Sequence, residues 1–100
     1  MPEPHPAAEV RCSGRLVCAT EDEADTVRRH LPDHVRLTRA EAGCIAFDVL
    51  ETDDALVRSV AERFTDQDAF ERHQHRVAGS EWGRATAGIE RRYVIEAVAG

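Results

Sequence analysis

Two histidines separated by one residue stand in the stretch DQDAFERHQHRVAGSEW. On a strand such a pair shares a face and can bind one metal ion, but on a helix the two side chains point about 200° apart. The spacing of Phe70 and Val77 around His73 predicts a helix with His73 on its buried stripe and His75 on its solvent side. The pair therefore predicts no metal site, and no other group of His, Cys, Asp and Glu has ligand spacing.

The buried histidine leaves two interpretations open. His73 is either a satisfied side chain at the edge of the core or the functional group of a pocket.

The elements that position these histidines begin with a strand and a helix. The segment RCSGRLVCAT, residues 11–20, predicts a short strand with apolar residues on both faces. Thr20 then caps a helix, and Glu23 can reach back to the helix start. Pro32 removes one backbone hydrogen bond and predicts a bend or a restart of this helix, which Gly43 ends.

Two further strands and a second helix follow. GCIAFDVLE and LVRSVAERF predict a hairpin around the polar turn ETDDA, and IERRYVIEAV predicts the last strand. Thr65 or Asp66 starts the helix between them. The alternating apolar residues of the hairpin are Ile45, Phe47 and Val49 in its first strand and Leu56, Val60 and Phe64 in its second.

The resulting order, β-α-β-β-α-β, predicts an α+β fold of the ferredoxin-like type. A four-stranded antiparallel sheet then carries both helices on one face. Because several strands have apolar residues on both faces, we expect the open face of the sheet to be covered by a second copy of the chain in a homodimer. A monomer with a mildly apolar outer face is the alternative.

Length and composition predict one domain. The chain has 100 residues, of which 42% are hydrophobic and 32% charged, as in globular proteins. We expect residues 1–10 to form a disordered, Pro-rich lead and residues 11–98 to form the domain. No apolar run approaches the ~20 residues of a membrane span, and the first residues lack the features of a signal peptide, which predicts a cytoplasmic protein. The net charge of -6, with scattered arginines, disfavours nucleic acid as a partner.

Two segments, EAGCIAFDV and AERFTDQDAFERHQ, resemble the antibiotic biosynthesis monooxygenase family. The resemblance covers roughly residues 15–95 and implies a ferredoxin-like subunit that dimerises through its sheet, with a pocket between sheet and helices. It also implies oxidation of a phenol or quinol by molecular oxygen without flavin, haem or metal. The matching positions are Glu41, Gly43, Cys44, Phe47, Glu62, Phe64, Asp66, Phe70 and His73.

This chemistry needs a base that ionises the phenol, groups that stabilise the resulting anion and an apolar cavity. Candidates for the base are His73 and His34. A plain alternative is that the arginines pair with glutamates across the sheet and that the tryptophan only anchors a helix. The candidate substrate-binding residues are Phe47, Arg63, Phe70, Trp82 and Arg91.

The absence of asparagine from the sequence narrows the expected activity. Family members that oxidise polycyclic polyketides, and relatives that degrade haem, use an Asn in the pocket. The closest remaining group is the small bacterial quinol monooxygenases, so we expect a cofactor-free oxygenase acting on a quinol or small phenol. Two alternatives stay open: a dimeric module that binds a hydrophobic small molecule or haem without turning it over, and an interaction domain without a useful pocket.

Overall fold

The predicted order of strands and long helices is confirmed by the computed structural model, which describes residues 8–98. A short third helix, α3, is added before the last strand. The elements are β1 (Glu9–Val17), α1 (Glu21–Arg39), β2 (Cys44–Glu51), β3 (Val57–Phe64), α2 (Gln67–Ala78), α3 (Glu81–Ala85) and β4 (Glu90–Val98).

The four strands form one antiparallel sheet in the order β2-β3-β1-β4. This is the ferredoxin-like arrangement. Alternate residues of each strand point to the helices or to the open face. None of the helices in the described residues combines the length and apolar character of a membrane crossing.

The first strand begins earlier than the sequence pattern predicted. Glu9 and Val10 belong to β1, and Val10 is buried in the core with 1% of its surface exposed. The disordered lead expected over residues 1–10 is therefore wrong for these two residues. Its first seven residues lie outside the described part of the chain.

The first helix is continuous from Glu21 to Arg39, so the predicted restart at Pro32 is wrong. The Thr20 hydroxyl accepts a hydrogen bond from the Glu23 backbone N–H, and the Glu23 carboxylate accepts one from Ala19, which together cap the helix start. Pro32 is exposed, so the ring occupies solvent while the opposite side of the helix stays packed. Core packing of that opposite side offsets the single lost hydrogen bond.

The start of the second strand also departs from simple alternation. The pairing of β2 with β3 shifts register between Cys44 and Ala46, so Ile45 is an extra residue of a β-bulge. Ile45 is 45% exposed, whereas Phe47 is buried and Val49 packs against the core. The predicted shared face of Ile45 and Phe47 is therefore wrong, because the bulge changes the phase between them.

The core between helices and sheet consists of two apolar clusters. One surrounds Leu16, Val27 and Trp82, and the other surrounds Val10 and Phe64. Three buried polar residues, His34, Glu62 and His73, lie among these apolar side chains and line the candidate site.

Candidate active site

A small cavity lies between the sheet and the helices, beside the apolar cluster around Leu16 and Trp82. Its volume is about 50 Å³, and three buried titratable side chains reach it, namely His34 from α1, Glu62 from β3 and His73 from α2. The other lining residues are Leu16, Phe47, Val49, Val60, Gln74, Val77, Trp82, Arg91 and Tyr93.

His73 is held by a carboxylate on one side and faces another carboxyl group on the other. Its Nδ1 lies 3.0 and 3.1 Å from the two oxygens of Glu41, and its Nε2 lies 3.7 Å from Oε1 of Glu62. Because a carboxylate only accepts, Nδ1 carries the hydrogen and Nε2 keeps its lone pair. Burial lowers the pKa of His73, while the hydrogen bond and charge of Glu41 act in the opposite direction.

Arg76, in α2, binds the Glu41 carboxylate as well. Arg76 donates through Nε to Glu41 over 2.6 Å and through Nη2 to the Thr38 hydroxyl over 2.9 Å. Gly43, with φ of 91°, lies two residues after Glu41 in the turn between α1 and β2. The turn and the guanidinium therefore determine where the carboxylate meets His73.

Glu62 is a buried acid without a hydrogen bond to its carboxyl group from any residue between 8 and 98. It alternates with Val60 and Phe64 along β3, so it points toward the helices. Burial raises the pKa of Glu62 to about 7, the charge of Glu41 adds to the rise, and Arg91 opposes it. Near neutral pH this carboxyl group can therefore both give and take a proton.

His34 packs in an aromatic environment. Its ring is stacked on Trp82 with centroids 4.4 Å apart and meets the ring of Phe47 edge-on at 5.2 Å. Burial, followed by neighbouring His73 and arginines, lowers the pKa of His34 to about 3, so the ring is neutral. Its Nδ1 is buried and has no hydrogen-bond partner within the described residues, which leaves it available to a molecule in the site.

Arg91 and Tyr93 bring polar atoms to the β4 side of the cavity. Arg91 donates to the backbone oxygens of Thr86 and Ile89, both over 2.9 Å, and to the Thr86 hydroxyl over 2.7 Å. These bonds fix the guanidinium beside the cavity. Burial raises the pKa of Tyr93 to about 12, so its hydroxyl keeps its proton.

Most of the predicted site residues lie at this cavity, but two do not. His73, His34, Phe47, Trp82 and Arg91 all line it.

Arg63 lies on the open face of the sheet and forms a bidentate ion pair with Glu9, with donor–acceptor distances of 3.1 and 2.6 Å. It adjoins Glu62 in β3, and adjacent strand residues point to opposite faces. Phe70 lies one turn before His73 and packs against Phe64, with ring centroids 5.7 Å apart, in the second core cluster. Neither residue lines the cavity, which corrects their predicted placement.

The two histidines of the HQH stretch have opposite environments. His73 is 3% exposed, and His75 lies on the exposed surface of α2. The predicted orientations are confirmed, and the two rings do not converge on one point.

The sequence matches the antibiotic biosynthesis monooxygenase family over residues 15–84. The chain belongs to this family. No curated protein gives a significant match to the chain.

Several solved structures share the fold of this family member. Rv0793 from Mycobacterium tuberculosis is 23% identical, with a TM-score of 0.71, over 90% of this chain and 94% of that one. PA3566 from Pseudomonas aeruginosa is 22% identical, with a TM-score of 0.68, over 97% and 98% of the two chains. SnoaB, a cofactor-independent oxygenase from Streptomyces nogalater, is 16% identical, with a TM-score of 0.75, over 94% and 96%. At these identities the similarity establishes the fold.

Sequence reasoning gave no role to three polar side chains of this monooxygenase-family site. Glu62 was in phase with the apolar residues Val60 and Phe64, and that period of two is the signal that places it inside. Glu41 reaches His73 and Arg76 only through the fold, since 32 and 35 residues separate it from them along the chain. No local spacing in the sequence indicates that contact.

Proposed function

We propose that this protein is a cofactor-independent monooxygenase that oxidises a quinol or another small phenol with molecular oxygen. The observation that carries the proposal is the state of His73. Its Nδ1–H is held by Glu41, and its unprotonated Nε2 lies in a buried site lined by aromatic side chains. A positioned neutral imidazole of this kind is suited to act as a general base.

The first chemical step in the proposal is removal of the phenol proton by Nε2 of His73. The phenolate that forms is electron-rich and can pass an electron to oxygen, which the neutral phenol does poorly. For a hydroquinone the overall change is one molecule of substrate and one of oxygen giving a hydroxyquinone and water. The substrate supplies all the electrons, so the balance requires no separate reductant.

The other cavity residues have supporting roles in the proposal. His34, neutral and with an unpartnered Nδ1, hydrogen-bonds an oxygen atom of the substrate. Arg91 provides positive charge toward the phenolate, and Phe47 and Trp82 pack against the aromatic ring. His73 is the proposed base because Glu41 supports its protonated form, whereas burial and nearby positive charge lower the pKa of His34 to about 3.

Substrate binding requires the cavity to enlarge. Its volume of about 50 Å³ suits small molecules such as water and oxygen, whereas pockets for larger organic ligands are roughly 300–1,000 Å³. A second cavity of about 80 Å³ lies between α1 and α3, and His34 and Trp82 line both cavities. We therefore propose that a phenol enters between these helices when the Trp82 ring leaves its stack on His34.

The proposed assembly is a homodimer through the open face of the sheet. That face exposes Leu50 and Val94, each 58% accessible, and has a depression lined in part by Ala46 and Ala61. Sedimentation velocity is expected to show a dimer that Ala61→Arg dissociates. Ala78→Arg, on the exposed surface of α2, is expected to leave the dimer intact. A monomer for the unmodified chain would contradict this assembly.

Oxygen uptake tests the proposed activity. Purified, metal-depleted protein is mixed with a panel of simple hydroquinones beside His73→Ala and the matched control His75→Ala. We expect uptake above spontaneous autoxidation, lowered on the order of 10²-fold or more in His73→Ala and unchanged in His75→Ala. Equal rates in both variants would refute the role of His73. Haem binding by the unmodified protein without oxygen uptake would favour a binding module.

A further inference from the structure

The buried carboxyl group of Glu62 has no structural partner that explains its position. Its side chain is 8% exposed, and within the described residues its one partner at ion-pair distance is Nε2 of His73, at 3.7 Å. A carboxylate that is largely withdrawn from water and receives no hydrogen bond from another described residue costs folding free energy, and such a group in a cavity is a candidate for a functional role. Both Glu62 and His73 reach the same cavity, in which the proposed substrate reacts.

The reaction in the preceding section needs an acid as well as a base. After electron transfer, the substrate radical and superoxide combine, forming a C–O bond and a peroxide anion that takes a proton. Loss of the ring proton from the same carbon then breaks the O–O bond, forms a carbonyl group and expels hydroxide, which takes a second proton to become water. Two protons leave the substrate and two are delivered to oxygen.

We propose that Glu62 is the catalytic acid that delivers these protons to the reduced oxygen, while His73 is the base that removes the protons of the substrate. This inference rests on the proposed function. The geometry places the two groups side by side, so a proton taken by Nε2 of His73 can pass to Glu62 and return to oxygen. The site then ends each turnover in its starting protonation state.

The charges around the pair favour this division of roles. Burial raises the pKa of Glu62 to about 7, so near neutral pH a large share of Glu62 carries the proton that an acid needs. Glu41 holds the opposite side of His73 and keeps Nε2 as the basic atom. The charged and titratable groups around the pair, among the described residues, are His34, Glu41, Arg76, Arg91, Tyr93 and two thiols, Cys12 opposite Glu62 in β1 and Cys44 in β2.

Glu62→Gln tests the proposal because glutamine has nearly the same shape and cannot supply the proton. Oxygen uptake and hydrogen peroxide release are measured together, with the unmodified protein, Glu62→Gln and Glu62→Asp. We expect Glu62→Gln to lower kcat on the order of 10²-fold, to leave KM nearly unchanged and to release a larger share of the consumed oxygen as peroxide. Glu62→Asp, which retains an acid, should restore part of the rate and should release a smaller share of the oxygen as peroxide than Glu62→Gln does.

A second measurement follows the pair without substrate. In a pH titration by 15N NMR, the His73 ring signals of the unmodified protein should shift near pH 7, as Glu62 ionises, and this step should be absent in Glu62→Gln. The same spectra show whether each variant is folded.

The outcomes separate the two proposals. If Glu62→Gln consumes oxygen at an unchanged rate and releases no larger share of it as peroxide, the proposed role of Glu62 is wrong. The same holds if the unmodified protein lacks the titration step near pH 7. Neither outcome contradicts the proposed function. No oxygen uptake by the unmodified protein would overturn the proposed function and, with it, the acid role that depends on it.

Discussion

At the scale of single residues, the position of Glu41 determines how His73 can act. The carboxylate receives the Nδ1–H of His73 and the Nε–H of Arg76, which come from the same face of α2. This contact selects one tautomer of His73, and the Glu41 charge supports the protonated ring that forms when a substrate loses its proton.

Glu41→Gln should weaken the base without removing it. Since the hydrogen bond and charge of Glu41 raise the pKa of His73 against the effect of burial, their loss should lower that pKa further. We expect oxygen uptake to fall by roughly 10-fold, less than in His73→Ala, and the 15N titration of His73 to move to lower pH. Glu71→Gln, an exposed carboxylate of α2, is the control. Similar losses in both variants would contradict a specific role for Glu41.

The environments of individual residues were partly predictable from spacing. Helical periodicity placed His73 inside and His75 outside, and the structure confirms both orientations. Strand alternation likewise places Glu62 on the inner face of the sheet and Arg63 on the outer face. The charge of Glu62 argues against burial, however, so alternation alone did not predict that this residue would be buried. The pairing of Arg63 with Glu9 depends on the register of β1 against β3, which no single segment encodes.

At the scale of elements, the turn between α1 and β2 places Glu41 and starts the bulged strand. Gly43 adopts φ of 91°, which side-chain-bearing residues seldom adopt, and a Cβ there would lie 2.6 Å from the Cβ of Ala69. The close approach of this turn to α2 therefore requires glycine.

Gly43→Ala should destabilise the fold by about 1–3 kcal/mol, through backbone strain together with displacement of α2. Gly88→Ala is the matched control, because a Cβ at Gly88 would meet no atom within 4 Å. Its effect should stay within about 0.5 kcal/mol. Urea denaturation measures both changes. Equal stability of the two variants would show that the turn tolerates a side chain.

Local signals predicted the long elements and missed the short irregular ones. Thr20 and Asp66 cap the two long helices as their residue types suggested. The five-residue α3 has a capping Ser80 but too few residues for an amphipathic pattern. The bulge at Ile45 and the continuity through Pro32 depend on packing against the rest of the sheet and core, so neither could be derived from the segment itself.

At the scale of the whole molecule, two buried groups give the stability of the fold opposing dependences on pH. Glu62 has a pKa of about 7 against an ordinary value of 4.5, so the folded state binds this proton more tightly and stability falls as pH rises through that interval. His34 has a pKa of about 3 against 6.5, so stability falls as pH drops through that lower interval. Between pH 4.5 and 6.5 the two effects oppose each other.

Glu62→Gln should reveal the pH dependence of stability that His34 creates. Without the Glu62 proton, the free energy of unfolding is expected to rise with pH between 4.5 and 6.5 more steeply than in the unmodified protein. The slope should differ by up to about 1.4 kcal/mol per pH unit. Above pH 7 the variant should be more stable by about 3 kcal/mol, because a buried charge is absent. Urea titrations over this pH range test both differences, and parallel curves for the two proteins would contradict them.

The fate of labelled oxygen decides whether the protein is a monooxygenase. The metal-depleted protein is incubated under 18O2 with the hydroquinone that it oxidises fastest, and the product is examined by mass spectrometry beside the product formed with His73→Ala. We predict one labelled oxygen atom in each product molecule, with the rate of its formation lost in the variant. An unlabelled quinone, with both oxygen atoms released as peroxide, would show an oxidase and contradict the account.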